Sequence, residues 1–125
     1  MHRVYHFEIA SESPEKSADF YREVFGWKIL KKGVGTENYW VAITGSTEET
    51  GINGGIKPRE RSGESFIPHI EVSSIEEAAS KVEKWCGKIV SKITPVSGTG
   101  SILYCHDTEN NTFCLVEKGS GASKN

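Results

Sequence analysis

The chain repeats itself at half its length. His6-Phe7-Glu8-Ile9-Ala10-Ser11 recurs as His69-Ile70-Glu71-Val72-Ser73-Ser74, and Gly26-Trp27-Lys28-Ile29 is echoed by Gly87-Lys88-Ile89. Both matches come in the same order and at nearly the same spacing, which favours duplication of one supersecondary unit. Each copy begins with a strand. Tyr5, Phe7 and Ile9 alternate with His6 and Glu8, and Ile70 and Val72 alternate with His69 and Glu71. This period of two is that of a half-buried strand, and it sends one His and one Glu per copy to the face opposite the apolar one.

A helix follows each of these strands. Ser13-Pro14 supplies an N-cap and a proline at the first helical position; Ala18, Tyr21, Val24 and Phe25 form its apolar stripe, and Gly26 fits its left-handed stop. In the second copy Ser74 and Glu77 have capping-box spacing, Ile75, Ala78, Ala79, Val82 and Trp85 form the stripe, and Gly87 ends it. Further strands are expected over 27–30, 39–44 and 51–57, then over 88–93, 101–106 and 112–117. Turns fall at 45–50 and 107–111. The charged stretch 58–65 reads as a linker and 119–125 as a flexible tail. The chain is therefore one α+β domain over 1–118, built from two tandem βαβββ units at 1–58 and 66–118.

Composition narrows the function. Fifteen Lys and Arg against 17 Asp and Glu give a net charge of −2, which lacks the basic excess that phosphate binding needs, so no nucleic-acid partner is expected. No apolar run approaches the length of a bilayer span, so no membrane partner is expected either, and no signal peptide is visible. The three cysteines are too few and odd in number for a disulfide framework. A reducing, cytoplasmic setting follows. No phosphate loop, redox C-x-x-C or nucleophile-elbow pattern is present.

Two βαβββ units in one short chain resemble the vicinal oxygen chelate superfamily, the glyoxalase, bleomycin-resistance and dioxygenase proteins. Residues 17–27, Ser-Ala-Asp-Phe-Tyr-Arg-Glu-Val-Phe-Gly-Trp, are similar to that family's A-x-x-F-Y-x-x-V-F-G-W helix ending. Residues 107–113, Asp-Thr-Glu-Asn-Asn-Thr-Phe, resemble its late D-P-(D/E)-G-N hairpin, and Gly-Ile-Asn-Gly-Gly-Ile at 51–56 is familiar from a poorly characterised branch. The resemblance implies a curved mixed sheet forming a cup with the helices outside, and a homodimer. It also implies that His6 and His69 fall on metal-ligand positions. The last-strand ligand of metal-dependent members, a Glu seven residues after the hairpin's first Asp, falls here on Cys114, and Glu117 points to the opposite face.

The candidate residues carry open alternatives. His6, His69 and Cys114 form the metal set if a divalent Zn, Ni, Mn or Fe is bound; otherwise the histidines are polar cup residues hydrogen-bonded to Glu8 and Glu71. Those two carboxylates are the candidate catalytic bases for a proton next to a carbonyl, or else they orient the neighbouring histidines. Tyr104 with His6 and His69 forms the ligand-binding set, while His106 reads as a turn residue. The expected function is binding of a small polar or oxygen-rich molecule without a strongly held metal. The alternative is a metal-dependent lyase, isomerase or dioxygenase acting on a vicinal-oxygen substrate.

Overall fold

The computed structural model describes residues 2–32 and 38–119. Its elements run β1 (Val4–Ser11), α1 (Pro14–Phe25), β2 (Lys28–Lys31), β3 (Trp40–Ile43), β4 (Gly54–Pro58), β5 (Phe66–Glu71), α2 (Ile75–Lys84), β6 (Lys88–Ile89), β7 (Thr94–Val96), β8 (Gly100–His106) and β9 (Thr112–Lys118). Two compact units result: the first covers 6–67, the second 68–119 together with 2–5. Those N-terminal residues belong to the second unit because the His2 amide donates to the Glu71 carbonyl at 2.8 Å, and the Glu71 amide donates to Arg3 at 3.1 Å.

In the first unit the strand order is β2-β3-β4-β1, with β1 and β4 parallel and the other pairs antiparallel. Ala18, Ile29, Trp40, Ala42 and Ile56 form its core, with Ile9, Tyr21 and Trp27 packed against them. Helix α1 starts at Pro14 as expected, but Ser13 makes no side-chain cap; Ser11 Oγ accepts from the Ser13 amide at 3.0 Å instead. Gly26 takes the left-handed conformation and its N–H returns to Arg22 O. The apolar stripe is shorter than the sequence suggests. Pro14 and Ala18 are buried, while Val24 and Phe25 are exposed. After the turn at Gly26 the Trp27 ring stacks on Tyr21 at 4.9 Å, and Trp27 packs on the core where Phe25 was expected.

The 58–65 segment is tied to the first unit's own strands. Glu64 is fully buried and its carboxylate accepts from Lys57 Nζ at 2.9 Å, from the Glu60 amide at 3.0 Å and from Arg61 at 3.1 Å. Arg59 donates to the carbonyls of Glu64 and Ala10 and to the Glu12 carboxylate. Burial alone would raise the Glu64 pKa. The Glu60 amide, the Lys57 ammonium and Arg61 outweigh it and hold the carboxyl below its ordinary value.

In the second unit the order is β5-β9-β8-β6, with β7 also on β8; β5 and β9 are parallel. Val72, Ile75, Leu103, Cys105 and Leu115 form the core under α2. Of the strand expected over 88–93 only β6 forms, and β7 follows after it. Ser91 Oγ takes the Tyr104 amide at 2.8 Å, which interrupts the ladder between them. Ser74 caps α2 through the Glu77 amide, as its spacing predicts. Trp85, placed in the apolar stripe above, is 74% exposed at the helix end. The residue that reverses the chain is Cys86, at φ 71, rather than Gly87. Gly87 serves close approach: a Cβ there would lie 2.7 Å from Val82 Cγ1 and 2.8 Å from His106 O. Of the 119–125 tail, only Gly119 lies within the described residues.

Candidate functional site

Register and core membership assign the faces. In the first unit Ile9, Ile56 and Trp40 pair across the sheet and join the core under α1. His6 and Glu8 therefore lie on the other face, with Gly55 and Val41, whose register joins Glu8 to both. Glu8 is 5% exposed. His6 is half-buried, and its Nε2 meets Tyr39 Oη at 3.0 Å.

The two glycines at 54 and 55 make this arrangement possible. A Cβ on Gly54 would stand 2.6 Å from the Phe7 ring on one face, and a Cβ on Gly55 would collide with the Tyr39 hydroxyl on the other. Glycine weakens a strand interior, so its presence where rings approach from both sides marks close contact. Tyr39 was missed in the sequence. Its signal was the Gly-Gly pair itself, which says that something large lies over the strand without saying what.

In the second unit His69, Cys114 and Tyr104 stand in register across β5, β9 and β8, on the face away from the core. All three are buried, and the His69 and Tyr104 rings meet edge to face at 6.4 Å. Glu71, on the same face, pairs with Lys118 at 3.6 Å, and Lys118 also lies 4.6 Å over the Tyr5 ring. Tyr104 thus shares the polar face of its strand, as expected. His106, read above as a turn residue, is half-buried; its Nε2 and the Thr112 Oγ1 beside it in register have no hydrogen-bond partner among the described residues. Buried polar atoms of this kind are commonly met by an ordered water.

Among the described residues no group of three or more His, Cys, Asp or Glu side chains is placed to hold a metal ion. Cys114 is fully buried, and its Sγ points to the Leu115 carbonyl at 3.6 Å. The nearby carboxylate, Glu117, serves the opposite face, where it accepts the Ile75 amide at 2.8 Å. There it satisfies an orphan donor and places negative charge at the N-terminus of α2.

Comparison with known proteins agrees with this architecture. Solved structures of the same fold include a hypothetical protein from Bacillus halodurans, 18% identical with a TM-score of 0.65, covering 98% of this chain and 99% of that one. A methylmalonyl-CoA epimerase in complex with methylmalonyl-CoA and NH4+ is 15% identical at a TM-score of 0.63, with coverage of 98% and 99%. The Mycobacterium tuberculosis methylmalonyl-CoA epimerase is 13% identical at 0.61, with coverage of 92% and 87%. No protein of curated function matches in sequence. The fold is thus the α+β fold of these proteins. A family model matches residues 3–115, and the chain belongs to the Glyoxalase/Bleomycin resistance protein/Dioxygenase superfamily.

Proposed function

We propose that the protein binds a small polar or oxygen-rich molecule on the polar face of its sheet without a strongly held metal. The observation that carries this reading is Cys114. It occupies the position to which the family resemblance assigns a ligating glutamate, yet its thiol is buried against a backbone carbonyl. The carboxylate that could have replaced it, Glu117, is engaged on the helix side. The remaining groups on the polar faces are of the hydrogen-bonding kind: His6 and Tyr39, which bond each other, in the first unit, and His69 and Tyr104, whose rings meet edge to face, in the second. The epimerase complex, similar in fold, holds an acyl-CoA thioester, so acyl-CoA thioesters belong among the ligands to try. The reading includes a homodimer, tested by light scattering, and a cytoplasmic location.

Metal content by elemental mass spectrometry, on protein purified without chelator or His tag, tests the reading. A thermal-shift panel of acyl-CoA thioesters, hemithioacetals, epoxides and catechols follows. No stoichiometric metal and a saturable rise in Tm with one panel member is the expected result. About one equivalent of transition metal, lost in His69→Ala, overturns it in favour of the metal-dependent lyase, isomerase or dioxygenase.

A further inference from the structure

The outer side of α1 is not polar throughout. Phe20 and Val24 stand one turn apart on the same face and are 55% and 54% exposed. The buried side of the helix belongs to Pro14 and Ala18. A single exposed apolar residue is ordinary. An aromatic and a β-branched residue side by side in water, neither of which favours a helix, form a patch that helix stability does not explain. Phe20 is also held in place: its ring is edge-on to Tyr21 at 5.1 Å, and Tyr21 stacks on Trp27. A ring already fixed loses little entropy when it is covered.

Charges of opposite sign flank this patch. Lys16 lies one turn before Phe20, and Glu23 nearly one turn after it. They are roughly 10 Å apart along the helix, too far to pair with each other. Neither has an ion pair among the described residues. Asp19, the acid between them, is taken by Arg22 at 3.0 Å. We propose that this face of α1 docks against the same face of a second copy of the chain, the two helices antiparallel about a twofold axis at Phe20. Turning one copy end for end sets Lys16 beside the partner's Glu23 and Glu23 beside the partner's Lys16, with Phe20 and Val24 of both copies between them. Parallel helices would set like charges together. A twofold interface is self-complementary, and a patch that carries its own counter-charge fits a copy of itself. This gives a face to the homodimer of the reading above and rests on that part of it alone. One helix per copy covers less than the roughly 1,200 Å² of a stable interface, so the dimer is weak, with a Kd on the order of 10 µM or more.

Sedimentation velocity on the whole chain, from about 1 to 500 µM, should show a reversible monomer–dimer equilibrium. Lys16→Glu and Glu23→Lys should each weaken association by about fivefold to tenfold, and the double swap should restore it to within about twofold. Phe20→Ser should leave a monomer throughout, with its Tm at low concentration nearly unchanged because the ring is exposed. A dimer that ignores the single charge changes, or a double swap that fails to restore it, overturns the antiparallel face and leaves the homodimer intact. A dimer that survives Phe20→Ser does the same. A monomer at every concentration removes the homodimer as well, while the thermal-shift panel decides the small-molecule reading separately.

Discussion

Replacing Glu64 by Ala tests the ion cluster that ties the 58–65 segment to the first unit. Glu64 is fully buried, and Lys57, its partner at 2.9 Å, keeps only 6% of its side chain exposed. Breaking a buried pair by removing one member costs about 3–5 kcal/mol, because the other charge stays in the interior. Two features place this case near the lower end. Lys57 retains Glu60 at 3.1 Å, whose side chain is 60% exposed, and the Pro58 carbonyl at 3.1 Å. Arg61 sits near the surface and can turn to water. A loss of about 3 kcal/mol in a chain of this size lowers Tm by roughly 10–15 °C. Urea unfolding with thermal melts gives both numbers. The double variant Lys57→Met with Glu64→Leu should recover most of the loss, since apolar replacement of a buried pair is often neutral. A Glu64→Ala loss under about 1 kcal/mol, or a double variant as unstable as the single one, would refute the reasoning.

The same carboxyl sets a pH dependence: its folded pKa lies below the ordinary 4.5, so its contribution is complete above that value and drains as pH falls toward the folded pKa. Glu64→Gln should therefore flatten the acid side of the Tm–pH profile. Gly54→Ala should cost about 1–3 kcal/mol in urea unfolding, because the new methyl meets the Phe7 ring at 2.6 Å. Thiol titration should find one fast cysteine in the native protein, the exposed Cys86, and three after denaturation. Burial first, and the Glu83 charge second, push the Cys105 thiol up to about 11, and Cys86→Ser should abolish the fast phase. Glu117→Ala should cost about 1 kcal/mol by uncapping the Ile75 amide, read as a lower urea midpoint, without changing the metal content of the protein.

Much of this was legible in the sequence for a physical reason. Period-2 alternation at Phe7-Glu8-Ile9 and His69-Ile70-Glu71 registers which face is buried, and duplication let one copy check the other. The Ser74 cap and the Gly26 stop were readable because each depends on a single local backbone geometry. What stayed hidden depends on contacts between distant residues. Nothing near Ser91 announces that its hydroxyl will take the Tyr104 amide where the strand was expected to continue. Phe25 and Trp85 have the composition of core residues, yet end exposed because the chain turns at Gly26 and at Cys86. The Tyr39–His6 contact joins residues 33 apart, and only the Gly-Gly pair beneath it hinted at its existence.

In both units the first strand lies parallel to the last, β1 against β4 and β5 against β9. A unit made this way is closed by its own ends. Its first strand waits, during synthesis, until the last has left the ribosome, and the intervening helix and hairpin must be carried unfinished until then. Such long-range closure raises contact order and slows folding. It also means that neither unit can be shortened at its final strand without baring an edge of its first, so the smallest heritable addition to such a chain is the entire βαβββ segment. The doubled His-x-Glu motif is what that rule would leave behind.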